Sequence, residues 1–272
     1  MPGRMPRIGL GTYSDDDRHR WADRVETALE LGYRHVDTAQ VYGNEEYVGE
    51  GLAASDVPRQ EVFLATKTVH VDVPGPDRSD LTDAIEGRLD RLGTDYLDLL
   101  YVHWPAGVYD PETTLEVYQE FYDDGVVGHI GVSNFEPENL DRAREVLDAP
   151  IFANQVECHP LCPQDELRAY AREDDHWLVA YCPLARGEVF DRPEIRAVAD
   201  RHDASPAQVS LAWLLSKENV AVIPKASSEE HMRDNFAARE LVEDLTEEDI
   251  ERIDAIDDRT RLIDREYAPW NR

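Results

Sequence analysis

Short apolar runs typical of buried strands alternate with segments of helical period along almost the whole chain. The strand candidates are Arg34 to Asp37, Val62 to Thr66, Leu97 to Val102, His129 to Val132, Phe152 to Gln155, Trp177 to Tyr181, Val220 to Ile223 and, with a weaker pattern, Phe236 to Ala238. Such alternation predicts a parallel sheet with right-handed crossovers. Seven or eight strand-helix units in 272 residues favour one domain, residues 1–272, folded as a (β/α)8 TIM barrel.

Several helix boundaries can be predicted from local signals. A helix over about residues 18 to 31 is expected to stop at Gly32, and Ser205-Pro206 predicts an N-cap followed by proline at the first helical position. Thr246 and Asp249 form a variant capping box. The segment from Met5 to Tyr13 predicts a short N-terminal β-hairpin that plugs the barrel floor, and its Gly9-Leu10-Gly11 is interpreted as a tight turn. Residues after about 256 have no clear period and are expected to lie across the surface as a C-terminal tail.

Polar residues stand at the ends of successive predicted strands. Asp37, Lys67 and His103 follow apolar runs at steps of 30 and 36 residues, and Tyr42 lies a few residues beyond the first run. In a barrel of parallel strands, the residues at the strand C-termini converge on one mouth, where the chemistry of such barrels takes place. A phenol, an ammonium, a carboxylate and an imidazole at one mouth indicate proton transfer.

The charge of the chain is extreme. It carries 28 basic and 58 acidic residues, a net charge of −30, and only Lys67, Lys217 and Lys225 are lysines. Self-repulsion of this size is relieved by salt, which favours adaptation to a salty cytoplasm. Nucleic-acid binding requires a basic patch and is not expected.

Three cysteines cannot form a disulfide framework. Cys158, His159 and Cys162 superficially have metal-ligand spacing, but a fourth suitable ligand is missing, so no metal site is predicted. The N-terminus does not have the pattern of a signal peptide and no apolar run approaches transmembrane length, so we expect a cytoplasmic protein without membrane partners.

A series of motifs resembles the aldo-keto reductase family, in particular its prokaryotic branch that includes 2,5-diketo-gluconate reductases. The motifs occur in this order: Gly9-Leu10-Gly11-Thr12, Asp37-Thr38-Ala39, Tyr42-Gly43-Asn44-Glu45, Lys67, His103-Trp104-Pro105, Gly131-Val132-Ser133-Asn134-Phe135, Asn154-Gln155, Tyr181-Cys182-Pro183-Leu184 and Ile223-Pro224-Lys225. The resemblance implies reduction of small aldehydes or ketones to alcohols by NAD(P)H, in a protein that we expect to be a monomer.

The resemblance also implies catalytic roles for four residues. Tyr42 would donate the proton, Lys67 would lower the pKa of Tyr42, Asp37 would hold Lys67, and His103 would orient the substrate carbonyl. Each residue alone also has an ordinary explanation in packing or in a salt bridge.

A nicotinamide cofactor is implied at the barrel mouth, because no Gly-x-Gly-x-x-Gly motif of a Rossmann site is present. In the family, the residues that match Ser133, Asn134 and Gln155 hold the carboxamide, and the one that matches Tyr181 stacks on the nicotinamide. The further cofactor contacts expected here are Gly11, Thr12, Asp37, Pro183, Leu184, Lys225, Ser227, His231 and Asn235.

The presumed phosphate-binding segment departs from the family pattern at two positions. Ala226 stands where the family has serine, and His231 stands where it has arginine. A histidine that is mostly neutral at pH 7 holds a 2′-phosphate less well than a guanidinium. Lys225 still supplies a cation, so NADPH is expected ahead of NADH.

The substrate pocket is expected to contain Tyr13, Tyr42, His103 and Trp104, with Trp270 as a lid residue. Core packing is expected instead for Trp21, Trp177 and Trp213. Arg259, Arg261 and Arg272 are candidates for contact with a substrate carboxylate, although pairing with local acids is the simpler interpretation.

Two other functional classes remain open. One is a non-catalytic barrel that binds the cofactor as a redox sensor or accessory subunit, and it predicts retained binding with slow turnover. The other is a different barrel enzyme, such as an isomerase or a metal-dependent hydrolase, which predicts a metal cluster at the mouth.

Overall fold

Eight parallel strands form the centre of the computed structural model, which describes residues 5–13, 18–69 and 77–271. They are β1 Leu10–Gly11, β2 His35–Asp37, β3 Phe63–Thr68, β4 Leu99–Val102, β5 Ile130–Ser133, β6 Ile151–Glu157, β7 Trp177–Tyr181 and β8 Val220–Val222. Each strand pairs in parallel with the next one along the chain. The seven stronger strand predictions are therefore confirmed.

The first and last strands close the sheet on itself. Parallel bridges join Ile8 to Val222 and Gly11 to Lys225. The amide of Gly9 donates to the carbonyl of Val222 over 2.9 Å, and Arg7 Nε donates to the carbonyl of Val220 over 2.9 Å. The predicted (β/α)8 barrel is confirmed.

The predicted N-terminal hairpin is wrong for the described residues of that segment, because they pair in parallel with β2 and β8. The two glycines are required by close approach rather than by a turn. A Cβ on Gly11 would lie 2.5 Å from the carbonyl oxygen of Ile223, and one on Gly9 would lie 2.7 Å from the His35 ring. This segment contains β1, which together with the seven predicted strands completes the barrel of eight.

The predicted strand from Phe236 to Ala238 is also wrong, because these residues lie inside a helix, Glu229–Leu241. Its buried residues are Met232, Asn235, Ala238 and Leu241, which recur every three residues. That spacing is helical, and it overrides the short apolar run.

Helices cover the outside of the barrel. They are α1 Trp21–Glu30, α2 Glu45–Ala54, α3 Arg78–Leu92, α4 Pro111–Asp123, α5 Pro137–Val146, α6 Asp165–Glu173, α7 Pro193–His202, α8 Pro206–Leu215, α9 Glu229–Leu241 and α10 Glu247–Asp254. The predicted caps are confirmed at Ser205, which begins α8, and at Thr246, which begins α10 with its capping box to Asp249. The stop after α1 is also confirmed, since Gly32 has a φ of 102°.

Trp21, Trp177 and Trp213 are all buried, as predicted. Across the described ranges, no helix combines the length and the apolar character that crossing a membrane requires.

Candidate active site

The carboxyl ends of successive strands bring three of the four predicted catalytic residues to one mouth. Asp37 is the last residue of β2, Lys67 is the second-last residue of β3, and His103 directly follows β4. Tyr42 reaches the same mouth on a short 3-10 turn, Gln40–Tyr42, that follows β2. The sequence prediction that these four residues converge is supported by their contacts.

Lys67 and Asp37 form a buried ion pair, and neither side chain is more than 2% exposed. Lys67 Nζ also donates to the carbonyl oxygen of Thr38 over 2.8 Å. Burial lowers the pKa of Lys67 below its usual value, although the charge of Asp37 opposes this effect. The pair therefore fixes one cationic group at the mouth, behind the Tyr42 ring.

Tyr42 lies between Lys67 and His103. Lys67 Nζ is 5.3 Å from the centre of the Tyr42 ring, and the Tyr42 and His103 ring centres are 6.0 Å apart and nearly perpendicular. Burial raises the pKa of Tyr42 well above its usual value, and the charge of Asp37 raises it further. Burial disfavours the phenolate and sets the direction of this shift, and the expectation that Lys67 lowers the pKa of Tyr42 stays a prediction.

The backbone of His103 is held from two sides. Its amide donates to the carbonyl of Thr68 over 2.9 Å, and its carbonyl accepts from Asn134 Nδ2 over 3.1 Å. Asn134 has a φ of 63°, in the left-handed region that asparagine tolerates better than most residues. The turn after β5 therefore directs the Asn134 amide toward β4.

Polar side chains at the ends of β5, β6 and β7 form one connected network. Ser133 Oγ donates to the carbonyl of Gln155 over 2.8 Å and accepts from Asn134 Nδ2 over 3.1 Å. Tyr181 Oη donates to Asn134 Oδ1 over 2.8 Å. Gln155 Nε2 donates to Asp37 Oδ2 over 2.8 Å, which joins this network to the Lys67 ion pair.

The remaining cofactor candidates lie near the ends of β1, β7 and β8. Gly11 and Thr12 are buried, and the Thr12 amide donates to the carbonyl of Asp37 over 3.0 Å. Pro183 is buried and accepts a hydrogen bond from Ser210 Oγ at its carbonyl, while Leu184 is half-buried.

The predicted phosphate-binding segment connects β8 to α9. Lys225, Ser227 and His231 are exposed, whereas Asn235 is buried in α9. Ser228 caps α9 by accepting from the amide of His231 over 3.3 Å. The first turn of α9 thus carries an exposed histidine, six residues after Lys225 in the sequence, with two glutamates on the same turn.

The predicted substrate-pocket residues form two pairs of aromatic rings. Tyr13 is 48% exposed, and its ring centre lies 5.2 Å from that of Tyr42. Trp104 is buried, and the ring of Trp270 lies against it with centres 5.7 Å apart. The C-terminal tail therefore packs on Trp104, the residue after His103, and a lid role for Trp270 stays a prediction.

The C-terminal arginines have different surroundings. Arg261 lies over the Trp270 ring at 3.9 Å, whereas Arg259 donates to the carbonyls of Pro160 and Asp254. Arg272 lies outside the described residues.

Three buried polar residues of the mouth were missed by the sequence analysis of the site. Asn44 Nδ2 donates to the carbonyl of Thr12 over 2.8 Å, and Asn44 Oδ1 accepts from Thr38 Oγ1 over 3.0 Å. Glu45 accepts from Thr66 Oγ1 over 2.8 Å. Glu157 ends β6 as Asp37 ends β2, so the same strand-end signal indicates it.

Comparisons with known proteins agree with this geometry. The family model described as "Aldo/keto reductase family" matches residues 7–258. Glyoxal reductase of Bacillus subtilis (strain 168) is 36% identical over 258 residues, which cover 95% of this chain and 91% of the relative. The 9,11-endoperoxide prostaglandin H2 reductase of Trypanosoma cruzi (strain CL Brener) is 35% identical and matches over 95% of this chain and 90% of its own length.

Solved structures of reductases are also similar to this chain. A structure provisionally assigned as 2,5-diketo-D-gluconic acid reductase B superimposes with a TM-score of 0.90 at 34% identity, over 97% of this chain and 92% of its own. The aldose reductase of Schistosoma japonicum gives a TM-score of 0.85 at 29% identity, over 95% and 91% of the two chains.

The chain belongs to the aldo/keto reductase family. It is an oxidoreductase that reduces carbonyl groups, and the family uses a nicotinamide cofactor. The predicted family and reaction class are confirmed.

Proposed function

We propose that this protein reduces small aldehydes and ketones with NADPH, as a monomeric cytoplasmic single-domain enzyme adapted to high salt, and that Tyr42 donates the proton. The observation that carries the proposal is the buried Lys67–Asp37 ion pair, whose ammonium lies 5.3 Å from the centre of the Tyr42 ring. An ion pair this buried costs desolvation and is weak evidence for stability alone. Its position beside the phenol of Tyr42 lets its ammonium stabilise a phenolate.

Tyr42 is the proton donor in this proposal. Its raised pKa keeps the hydroxyl protonated at neutral pH, so the proton is present when a carbonyl arrives. As the proton leaves, the ammonium of Lys67 stabilises the negative charge that develops on the phenol. Asp37 holds that ammonium in place.

His103 positions the substrate. Its ring stands nearly perpendicular to the ring of Tyr42, and its backbone is fixed by Thr68 and Asn134. An imidazole and a phenol directed at one carbonyl oxygen polarise the carbonyl and define the face that is attacked. The nicotinamide cofactor supplies the hydride when it is bound.

The donor set at the ends of β5 to β7 fits a nicotinamide. A carboxamide needs both hydrogen-bond donors and acceptors, and Ser133, Asn134 and Gln155 provide hydroxyl and amide groups of both kinds. The half-buried Tyr181 would cover the ring face. Gly11, Thr12, Asp37, Pro183 and Leu184 would complete the cofactor-binding surface.

The segment after β8 would hold the cofactor phosphates. Lys225, Ser227 and His231 are exposed beside the N-terminus of α9, where backbone amides and the helix dipole favour anions. Asn235 supports this segment from within α9. Lys225 provides the cation that favours NADPH, and His231 makes the preference small.

Aromatic walls define the substrate side. Tyr13, Trp104 and Trp270 would line the substrate entrance, since the Tyr13 ring contacts Tyr42 and Trp104 follows His103 and packs on Trp270. Such walls suit uncharged carbonyl compounds with an apolar body. Glyoxal, named for the Bacillus subtilis relative, is one small candidate.

The test follows oxidation of NADPH and of NADH, separately, with a panel of aldehydes and ketones that includes glyoxal, in molar KCl. We expect turnover that falls by a factor of about 10² or more in Tyr42→Phe, while cofactor still quenches tryptophan fluorescence. Tyr96→Phe is the matched control, because the Tyr96 ring contacts Arg59 away from the four catalytic residues. Undiminished turnover in Tyr42→Phe contradicts the mechanism, and binding without any turnover in the wild type favours the sensor alternative.

A further inference from the structure

The C-terminal residues 257–271, here called the strap, cross the mouth of the barrel. One end of the strap contacts the turn that follows β6. Thr260 N donates to the carbonyl of Leu161 over 2.8 Å, and Arg259 Nη1 donates to the carbonyl of Pro160 over 2.8 Å. Apart from a 3-10 turn, Pro269–Asn271, the strap has no regular helix or strand, so its backbone groups need partners elsewhere.

Glu157 supplies the central contact. Its Oε1 accepts from the amide of Leu262 over 2.6 Å, and its Oε2 accepts from the amide of Ile263 over 2.7 Å. His159 Nε2 lies 2.8 Å from Glu157 Oε1, and both side chains are fully buried. One buried carboxylate thus holds two consecutive amides of the strap.

The carboxylate stays ionised in this setting. Burial opposes its ionisation, but hydrogen bonds from His159 and from the two strap amides outweigh burial and hold the pKa of Glu157 below its usual value. Hydrogen bonds to a charged acceptor are about twice as strong as neutral ones. A neutral residue of the same shape would therefore hold the strap less firmly.

The other end of the strap packs on Trp104. Ala268 is buried, Tyr267 lies edge-on to Trp104 with ring centres 5.2 Å apart, and Trp270 packs on the same indole. Trp104 directly follows His103 in the sequence. The contacts therefore run from Glu157 at the end of β6, along the strap, to the substrate side of β4.

We propose that Glu157 is a positioning residue for specificity, which fixes the strap so that Trp270 forms the wall of the pocket for bulky substrates. The inference rests on the proposed carbonyl reductase function. Glu157 acts through the strap and is not assigned a contact with substrate. Small aldehydes do not need the wall, whereas aromatic aldehydes bind against it.

The test compares Glu157→Gln with a matched control, Asp249→Asn. Asp249 is also a fully buried carboxylate beside a histidine, His202, at 2.9 Å, but it caps α10 instead of holding the strap. In Glu157→Gln we expect KM for naphthaldehyde to rise by about tenfold or more, with kcat/KM for propanal nearly unchanged. Asp249→Asn should leave the ratio between the two substrates as in the wild type.

Two further measurements distinguish a loss of strap positioning from a general loss of stability. Backbone amides of residues 257–271 should exchange hydrogen faster in Glu157→Gln and not in Asp249→Asn. Trp270→Ala should reproduce the substrate profile of Glu157→Gln, and the double variant should add little to either single change. Unchanged exchange in the strap, or additive effects of the two substitutions, overturns the proposal.

The two proposals fail in different ways. If no carbonyl compound is reduced even by the wild type, the proposed function fails, while hydrogen exchange still decides whether Glu157 holds the strap. If Glu157→Gln does not fold, Glu157→Asp retains the charge on a shorter side chain. Hydrogen exchange in the strap should then be faster in Glu157→Asp than in the wild type. Equal exchange in the two proteins would contradict the proposal that Glu157 holds the strap.

Discussion

Lys67 places its ammonium 5.3 Å from the centre of the Tyr42 ring while the same group is bonded to the Asp37 carboxylate. The lysine thus contacts the carboxylate of Asp37 on one side and, on the other, a phenol that becomes negative during the proposed reaction. This arrangement separates two roles of the ammonium, neutralising Asp37 and stabilising the Tyr42 phenolate, and the two roles can be tested separately.

Replacing Lys67 by methionine should reduce turnover by a factor of about 10² or more, because the charge that stabilises the phenolate is lost. It should also lower stability by about 3 to 5 kcal/mol, because Asp37 is left as an unpaired buried charge. The measurements are steady-state reduction and urea unfolding.

The double variant Asp37→Asn with Lys67→Met separates these effects. It removes both buried charges, so much of the stability should return while turnover stays low. Recovery of turnover in the double variant would show that Lys67 serves only to neutralise Asp37.

The substitution His231→Arg should tighten NADPH binding more than NADH binding. A guanidinium on the exposed first turn of α9 adds a charged fork to the segment proposed to hold the phosphates, and we expect a gain of severalfold to about tenfold. Cofactor titrations monitored by tryptophan fluorescence measure both affinities.

The control for this change is Ala54→Arg, which adds the same charge at the exposed last residue of α2. Because α2 leads away from the mouth, its C-terminus lies toward the opposite end of the barrel. Equal tightening of NADPH and NADH by His231→Arg would show that position 231 does not face the 2′-phosphate.

Stability should fall below about pH 6.5 because of His176, which lies just before β7. Burial and, to a smaller extent, the nearby charge of Arg144 lower the pKa of this histidine from 6.5 to about 4, against the opposing charges of Asp174 and Asp175. The unfolded chain therefore binds the proton first as the pH falls. The stability that neutral His176 contributes is complete above pH 6.5 and is lost between about pH 6.5 and pH 4, by up to about 3 kcal/mol.

Urea unfolding across this pH range checks the prediction. His176→Phe keeps a buried ring without the titration, so its stability should fall less steeply between pH 6.5 and pH 4. Parallel curves for the wild type and the variant would show that other groups cause the acid sensitivity.

Salt should raise the melting temperature. A net charge of −30 repels itself strongly in dilute buffer, and raising KCl from about 0.1 M to about 1 M shortens the Debye length from about 10 Å to about 3 Å. Thermal unfolding followed by circular dichroism measures the change. Sucrose is the control, since it favours compact states without screening charge. A rise in sucrose that equals the rise in KCl would argue against charge screening.

The sequence predicted the parts of this protein that repeat along the chain. Seven strands have enough apolar residues to be recognised, and Asp37, Lys67 and His103 were found because a polar residue follows a strand at each barrel unit. Strand β1 was missed because two residues cannot show a period. The high pKa of Tyr42 leaves no pattern in the sequence because it depends on burial and on the position of Asp37, which become known only when the barrel is assembled.

Glu157 shows a second limit of sequence reasoning. Its position at a strand end was visible, but its partners, Leu262 and Ile263, lie 105 and 106 residues further along the chain in a segment without periodicity. A hydrogen bond between a strand end and an irregular tail leaves no pattern in one sequence.

The short strand β1 also has a consequence for synthesis of the protein. Just before β1, Arg7 donates to the carbonyl of Val220, 213 residues later, and Gly9 donates to the carbonyl of Val222. Both carbonyls belong to β8. A growing chain therefore cannot close its sheet until β8 has left the ribosome, and until then both edges of the sheet offer unpaired backbone groups to other chains. The interval between translation of the first strand and the eighth is thus the period when the nascent protein is most exposed to aggregation.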